Sequence, residues 1–286
     1  HVDSLLVKAG SGLITFGTSS SAGVPEALAQ ETIVLPLNDI ELLTQCLEQN
    51  KAEIACVIIE PVPANNGLIL QDKVFLEALR ALCTKNEILL IFDEVISGFR
   101  VAFGGASMLY GIHPDIVTYG KIMGGGLPVG AYGAKKEIMS FVSPEGPVYQ
   151  AGTLSGNPVA MAAGIAQLTE CSAPGFYEAL AEKTQIFVEK INNHASDNQY
   201  PFEIVSIGSI FWLSFDGKKR IIAASDINPD MHNFNLLHHA LLEKGVYLGP
   251  SGYEVGFISA AHDEKTLAIA SIAFCEVLDI IFNKNK

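Results

Sequence analysis

The chain has 286 residues, 49% of them hydrophobic and 17% charged, and a formal net charge of −13. That balance excludes an intrinsically disordered chain and suits one large domain plus a smaller one, each with its own core. A surface this acidic repels phosphate backbones and anionic lipid, so the expected partner is a small molecule, with no nucleic acid and no membrane.

Residues 10–25, GSGLITFGTSSSAGVP, have no helical period and read as a long loop, either a surface connection or a lid over a site. Asn38 and Asp39 can cap a helix that runs to about Asn50, with Leu42, Leu43 and Leu47 on one face. Residues 55–59 are a short apolar run, predicted to be a strand buried on both faces, and end in Glu60-Pro61. After a loop containing Asn65, Asn66 and Gly67, residues 72–85 carry Phe75, Leu76, Leu79 and Leu82 at helical spacing. Residues 88–92 and 115–119 are two further buried strands, ending in Asp93-Glu94 and Gly120-Lys121. Apolar strands alternating with helices predict a doubly wound α/β domain, whose ligands sit beyond the carboxyl ends of the strands. Those ends carry Glu60, Asp93 and Lys121.

Residues 149–156 form a polar, glycine-bearing loop, and Asn157-Pro158 opens a helix to about Cys171. Ala173-Pro174-Gly175 breaks it, so residues 1–173 are assigned to the large domain and 174–286 to a smaller α+β domain. There the pattern predicts a helix from Phe176 to about Asn193, strands at 203–207 and 210–215, a helix at 231–244, and short strands at 246–248 and 255–258. Asp263 caps a final helix, which Glu276 and Asp279 mark as amphipathic rather than membrane-spanning. Cys46, Cys56, Cys83, Cys171 and Cys275 show no C-x-x-C pairing and read as buried thiols in a reducing compartment, the cytoplasm. The scattered histidines have no metal-ligand spacing, so no metal site is expected.

Lys121 follows a strand and precedes Gly124-Gly125-Gly126, which allow close backbone approach to a ligand. A partly desolvated lysine there can attack a carbonyl to form a Schiff base; a glycine-rich turn with an incidental lysine explains the same spacing. Asp93 could cap a helix or pair with Arg100. If the ligand is pyridoxal phosphate, it would hold the pyridine nitrogen protonated, with Val95 placed to pack on the ring.

The stretches LLIFDEVISGFR, DIVTYGKIMGGGLPVGAYG and GPVYQAGTLSGNPVAMAAG resemble the class III pyridoxal-phosphate aminotransferases. Together with AGSGLITFGTSSSAGVP and YLGPSGYEVGFISAAH, they are most similar to the glutamate-1-semialdehyde aminomutase branch of that class. The resemblance implies a fold type I transferase with a mostly parallel sheet in the large domain. It implies that Lys121 bonds to the cofactor and moves protons, Asp93 meets the ring nitrogen, Val95 packs on the ring and Asn65 lies near the ring oxygen. It further implies that Thr153, with Tyr149 in the same loop, reaches the cofactor phosphate of a neighbouring subunit in a homodimer. Glu254 would be an active-site acid, and Ser11 would lie on the mobile lid.

The implied reaction moves an amine within glutamate-1-semialdehyde to give 5-aminolevulinate, a tetrapyrrole precursor, by way of the pyridoxamine form of the cofactor. The alternatives are a class III aminotransferase using an external amino donor and a non-catalytic chain of the same fold. The family's ring-stacking aromatic, its glycine-serine phosphate loop and its carboxylate-binding arginine are all expected upstream of His1.

Overall fold

The computed structural model describes residues 6–7, 15–16, 21–217 and 220–283. Ser11 lies outside the described residues. Within the expected long loop falls β1 (Thr15–Phe16); it pairs antiparallel with β2 (Ile33–Val34), which lies beyond the loop, as does the short helix α1 (Glu26–Ala29) between them.

The sheet that carries the strand-end residues has the order β3 (Cys56–Ile59), β4 (Leu89–Asp93), β5 (Ile116–Tyr119) and β6 (Ala131–Ala134). The first three strands run parallel, and β6, which the sequence pattern did not predict, returns antiparallel. Helices α2 (Ile40–Gln49) and α3 (Lys73–Lys85) cover one face. Leu43, Leu47, Phe75, Leu76, Leu79 and Cys83 pack there on Ile88, Leu90 and Phe92. Each large side chain so buried contributes roughly 1.5–3 kcal/mol. Burial pushes the Cys83 thiol up to about 11. Asp39 caps α2 by accepting the Leu42 N–H at 2.9 Å. Asp72 makes no such cap bond to α3; its carboxylate pairs with Arg220 instead.

The expectation that these strands are buried on both faces is corrected. Successive side chains of a strand point to opposite faces. On the face away from α2 and α3, Ile58 is 42% exposed and Leu89 37%, and Cys56 is exposed as well.

Helices α4 (Gly105–Tyr110), α5 (Lys136–Met139) and α6 (Pro158–Cys171) follow. Asn157 caps α6 through the Ala160 N–H at 2.9 Å, with Pro158 in the first turn. Helix α7 (Phe176–Asp197) starts after Gly175, at φ 79°, and outruns its predicted end. Strands β7 (Glu203–Ile207), β8 (Ile210–Ser214) and β9 (Gly256–Phe257) form an antiparallel sheet in that order. Helices α8 (His232–Glu243) and α9 (Glu264–Asn283) complete the chain, with Asp263 accepting the Thr266 N–H at 2.7 Å.

Residues 246–248 are not a strand. The Val246 N–H turns back to the Leu241 carbonyl at 2.9 Å, closing the end of α8, and the Leu248 carbonyl meets the His238 ring. The strand expected at 255–258 shrinks to two residues, because only Gly256 and Phe257 find partners on β8. By length and composition α9 is the one helix among the described residues apolar enough to cross a membrane. Its Leu267, Phe274, Val277, Leu278 and Ile281 nevertheless pack into a core with Phe187, Ile191, Leu237 and Leu241. A third core joins Val62, Ala64, Leu68, Ile96 and Val101 to Ile210, Trp212 and Ile227, bridging the halves on either side of residue 173.

Candidate active site

The register of the parallel strands brings the polar residues into one row. Ile59 is level with Phe92 and Asp93 with Thr118, so Glu60, Asp93 and Thr118 stand side by side where the strands end. Lys121 opens a 3₁₀ turn two residues after β5 (Lys121–Gly124). Its φ of 48° lies in the left-handed region that disfavours a side chain, which costs of order 1 kcal/mol or more unless the surroundings hold it. Helix α6 does the holding: a Cβ on Gly164 would come within 2.6 Å of the Met123 carbonyl oxygen, and one on Gly125 would strike that of Ala163.

Asp93 is fixed from two sides. Its Oδ1 accepts the Val95 N–H at 3.0 Å and the Thr118 hydroxyl at 3.4 Å, and its Oδ2 takes no hydrogen bond from a described residue. The pairing with Arg100 left open by the sequence does not occur. Arg100 lies over the Phe257 ring, 3.9 Å from its centroid, and donates from Nε to the Ile96 carbonyl at 3.2 Å. Burial lowers its guanidinium to about 10. Arg80 is taken by Asp115 and Arg220 by Asp72.

Glu60 is half-buried and supports the loop that follows it. Its carboxylate accepts the Asn65 Nδ2–H at 2.7 Å and the Ala64 N–H at 3.2 Å. Burial raises its pKa, opposed by the Asn65 and Ala64 bonds; Asp93 adds to the rise and Lys121 offsets part of it. Glu94, beside Asp93, is fully buried and accepts from Ser97 Oγ, the Ala106 and Ser107 N–H groups and Ser107 Oγ at 2.7–3.1 Å. It thereby pins the segment from Val95 to the start of α4. Thr118, Glu60 and Glu94 all support the site without having been assigned a role from sequence. Only the register reveals Thr118, and only the folded loop reveals Glu94.

The structure brings Lys121, Asp93, Val95 and Asn65 to one end of the sheet. Glu254 comes to the same end, because the Gly67 N–H, two residues after Asn65, donates to the Tyr253 carbonyl at 2.7 Å. Glu254 is exposed, and its carboxylate lies against Gly249. Tyr149 and Thr153 are exposed in the loop before α6 and hydrogen-bond to none of the strand-end groups. Lys121 is exposed rather than partly desolvated as expected.

These groups fit pyridoxal phosphate. The open Oδ2 edge of Asp93 suits a protonated ring nitrogen, and Lys121 supplies an amine. At Gly120 a Cβ would stand 3.2 Å from Val95 Cγ1, so the missing side chain leaves the Val95 face clear for a flat ring.

Comparison with known proteins agrees with this geometry. Residues 8–267 match the family model described as aminotransferase class-III. The fold superposes with a TM-score of 0.90 on an omega-transaminase from Sphaerobacter thermophilus, at 29% identity, covering 98% of this chain and 66% of that one. The β-phenylalanine aminotransferase of Variovorax paradoxus gives 0.83 at 29% identity, with 93% and 61% covered. A glutamate-1-semialdehyde-aminomutase from Pseudomonas aeruginosa PAO1, in complex with PMP, gives 0.83 at 22% identity, with 98% and 64% covered, and at that identity supports the fold alone. The chain thus spans slightly less than two thirds of the length of these structures. With its α/β architecture, its strand-end row and a family match over nearly its whole length, the chain belongs to the class III aminotransferases.

Proposed function

We propose that the complete protein is a pyridoxal-phosphate enzyme that moves an amine within one substrate, converting glutamate-1-semialdehyde to 5-aminolevulinate. When bound, the cofactor supplies a carbonyl that exchanges amines and a ring that draws electrons from the substrate. Lys121 gives that carbonyl its attachment point and carries protons at Nζ. Asp93, steadied by Val95 N–H and Thr118 Oγ1, keeps a proton on the ring nitrogen through Oδ2. Val95 packs on the ring. Asn65 gives one amide hydrogen to Glu60 and has its second free for the ring oxygen. Thr153, with Tyr149 beside it, reaches the cofactor phosphate of a second copy in a homodimer. That role suits their exposure and the apolar, exposed Leu154, Val159 and Ile165 nearby (74%, 69% and 69%). Ser11, on the lid, belongs to the same proposal.

The observation that carries the intramolecular reading is Glu254. The Gly67–Tyr253 bond sets an acid, not a cation, beside the Asn65 loop, and Arg80, Arg100 and Arg220 are engaged elsewhere. The class III enzymes that use an external donor often carry an arginine near this position for the donor's α-carboxylate. The complete, cofactor-loaded protein is supplied with glutamate-1-semialdehyde and no other amine donor or acceptor. Formation of 5-aminolevulinate is expected, and its absence overturns the reading. The 29% identity with an omega-transaminase favours a second reading, amine transfer from an external donor. Conversion that starts only when a donor amine is added would establish it.

A further inference from the structure

Glu254 and Asn65 are far apart in sequence, and one side chain ties their loops together. Trp212, on β8, is the sole tryptophan of the chain and is 2% exposed. Its indole N–H donates to the Gly252 carbonyl at 2.8 Å, two residues before Glu254. Its six-membered ring lies on the backbone of Gly67, where a Cβ would come within 2.7 Å of Cε2. Gly67 is held at φ 72° and returns the contact through its N–H to the Tyr253 carbonyl at 2.7 Å. The other side of the Glu254 loop is wedged as well: a Cβ on Gly252 would stand 3.1 Å from the Phe234 ring. The two hydrogen bonds and the ring contact form a closed circuit running Trp212, Gly252, Tyr253, Gly67 and back to Trp212. Counting Cα steps along it leaves Asn65 and Glu254 within roughly 15 Å of each other.

We propose that Trp212 is a positioning residue for this site, clamping the Glu254 loop onto the Asn65 loop and fixing the spacing of the two side chains. A generic core residue would explain the burial. It would not explain an indole N–H spent on one loop while the ring face leaves room only for a glycine in the other. An indole N–H without its acceptor would be left buried and unpaired, as would the Gly252 carbonyl, so the two loops open together or not at all.

The proposal rests on the roles given above to Asn65 and Glu254, and its test separates the two claims. Three forms of the complete holoenzyme are compared: wild type, Trp212→Phe and Phe274→Leu. Phe removes the donor and keeps most of the ring; Phe274 lies in the core with α9, a different cluster from the one that buries Trp212. Amide hydrogen exchange is followed in peptides covering 60–67 and 249–254, and pyridoxal phosphate affinity by the visible circular dichroism of the bound cofactor. Trp212→Phe is expected to speed exchange in both peptides together by about ten-fold or more and to weaken cofactor binding several-fold. Phe274→Leu should lower the melting temperature and do neither. Faster exchange in only one peptide, unchanged cofactor affinity in Trp212→Phe, or the same pair of effects from Phe274→Leu would overturn the clamp. If Trp212→Phe does not fold, wild type in sub-denaturing urea decides: the two peptides should share one denaturant dependence, and separate dependences refute the proposal. Cofactor still fixed covalently by borohydride in Lys121→Ala would count against the role given to Lys121, while the exchange data would still judge the clamp.

Discussion

Glu94→Gln is the smallest change that tests how the Asp93 segment is held. The carboxylate presents Oε2 to the Ala106 N–H and the Ser97 hydroxyl, and Oε1 to the N–H and hydroxyl of Ser107. A glutamine keeps one of those oxygens and replaces the other by a donor. The serine hydroxyls can rotate to accept; the backbone N–H groups cannot. Whichever way the amide turns, one buried N–H of the first turn of α4 faces another donor, at a cost of about 1–3 kcal/mol. The bonds that survive lose charge assistance, worth about 1 kcal/mol each. The total is about 3–5 kcal/mol, read as a lower urea midpoint at unchanged m value. Because the pinned segment begins at Val95, whose N–H holds Asp93, cofactor affinity should fall as well. A variant within about 0.5 kcal/mol of wild type, the range of an ordinary surface change, would refute this account of the segment.

Gly125→Ala should also destabilise, by about 2–4 kcal/mol, since it adds a Cβ at φ 57° directly against the Ala163 carbonyl. It should weaken cofactor attachment too, because α6 braces the Lys121 turn at that point; a variant with normal stability and spectrum would contradict this. The Asp115 carboxyl is pushed up by burial, but the Leu90 N–H, the Arg80 guanidinium and the Lys135 charge outweigh that and hold it below its ordinary value. Its contribution to stability is therefore complete above the unfolded carboxylate pKa of about 3.9 and is lost as pH falls through the depressed folded value. Arg80→Met should flatten that acid limb in urea midpoints measured against pH, and an unchanged limb would count against the pairing.

The elements legible in the sequence are those with a strong local period. Residues 40–49 and 73–85 advertise their buried faces, and Asp39, Asn157 and Asp263 mark helix starts. The strand-end row was half legible. Glu60, Asp93 and Lys121 each follow an apolar run, but that Glu60 stands level with Asp93, and Asp93 with Thr118, depends on a pairing register no local pattern encodes. The strand at 131–134 escaped notice because Ala-Tyr-Gly-Ala has weak strand propensity and forms by pairing with β5. Trp212 read only as part of an apolar strand. Its contact with Gly67 spans about half of the chain, and only the folded core that joins the two halves discloses it.

Lys121 combines the proposed chemistry and a conformational cost in one residue. At φ 48° the backbone suits glycine, yet the chain keeps a lysine between Gly120 and Gly124. In an ordinary helical position, glycine is less stable than alanine by about 1 kcal/mol. In the left-handed region the order reverses, because alanine carries the Cβ strain that glycine lacks. Lys121→Gly and Lys121→Ala both remove the amine, and with it the proposed cofactor attachment, at a cost of at least the 10²–10⁴-fold, roughly, of a lost general acid–base. Their stabilities should nevertheless differ by about 1 kcal/mol in favour of glycine, the opposite of the helical rule. Equal stabilities, or alanine ahead, would mean that the turn relaxes and that the left-handed backbone is not imposed by the packing of α6. Glycine ahead, with borohydride fixing no cofactor to either variant, would show that the fold sustains a strained backbone at the position proposed to carry the amine.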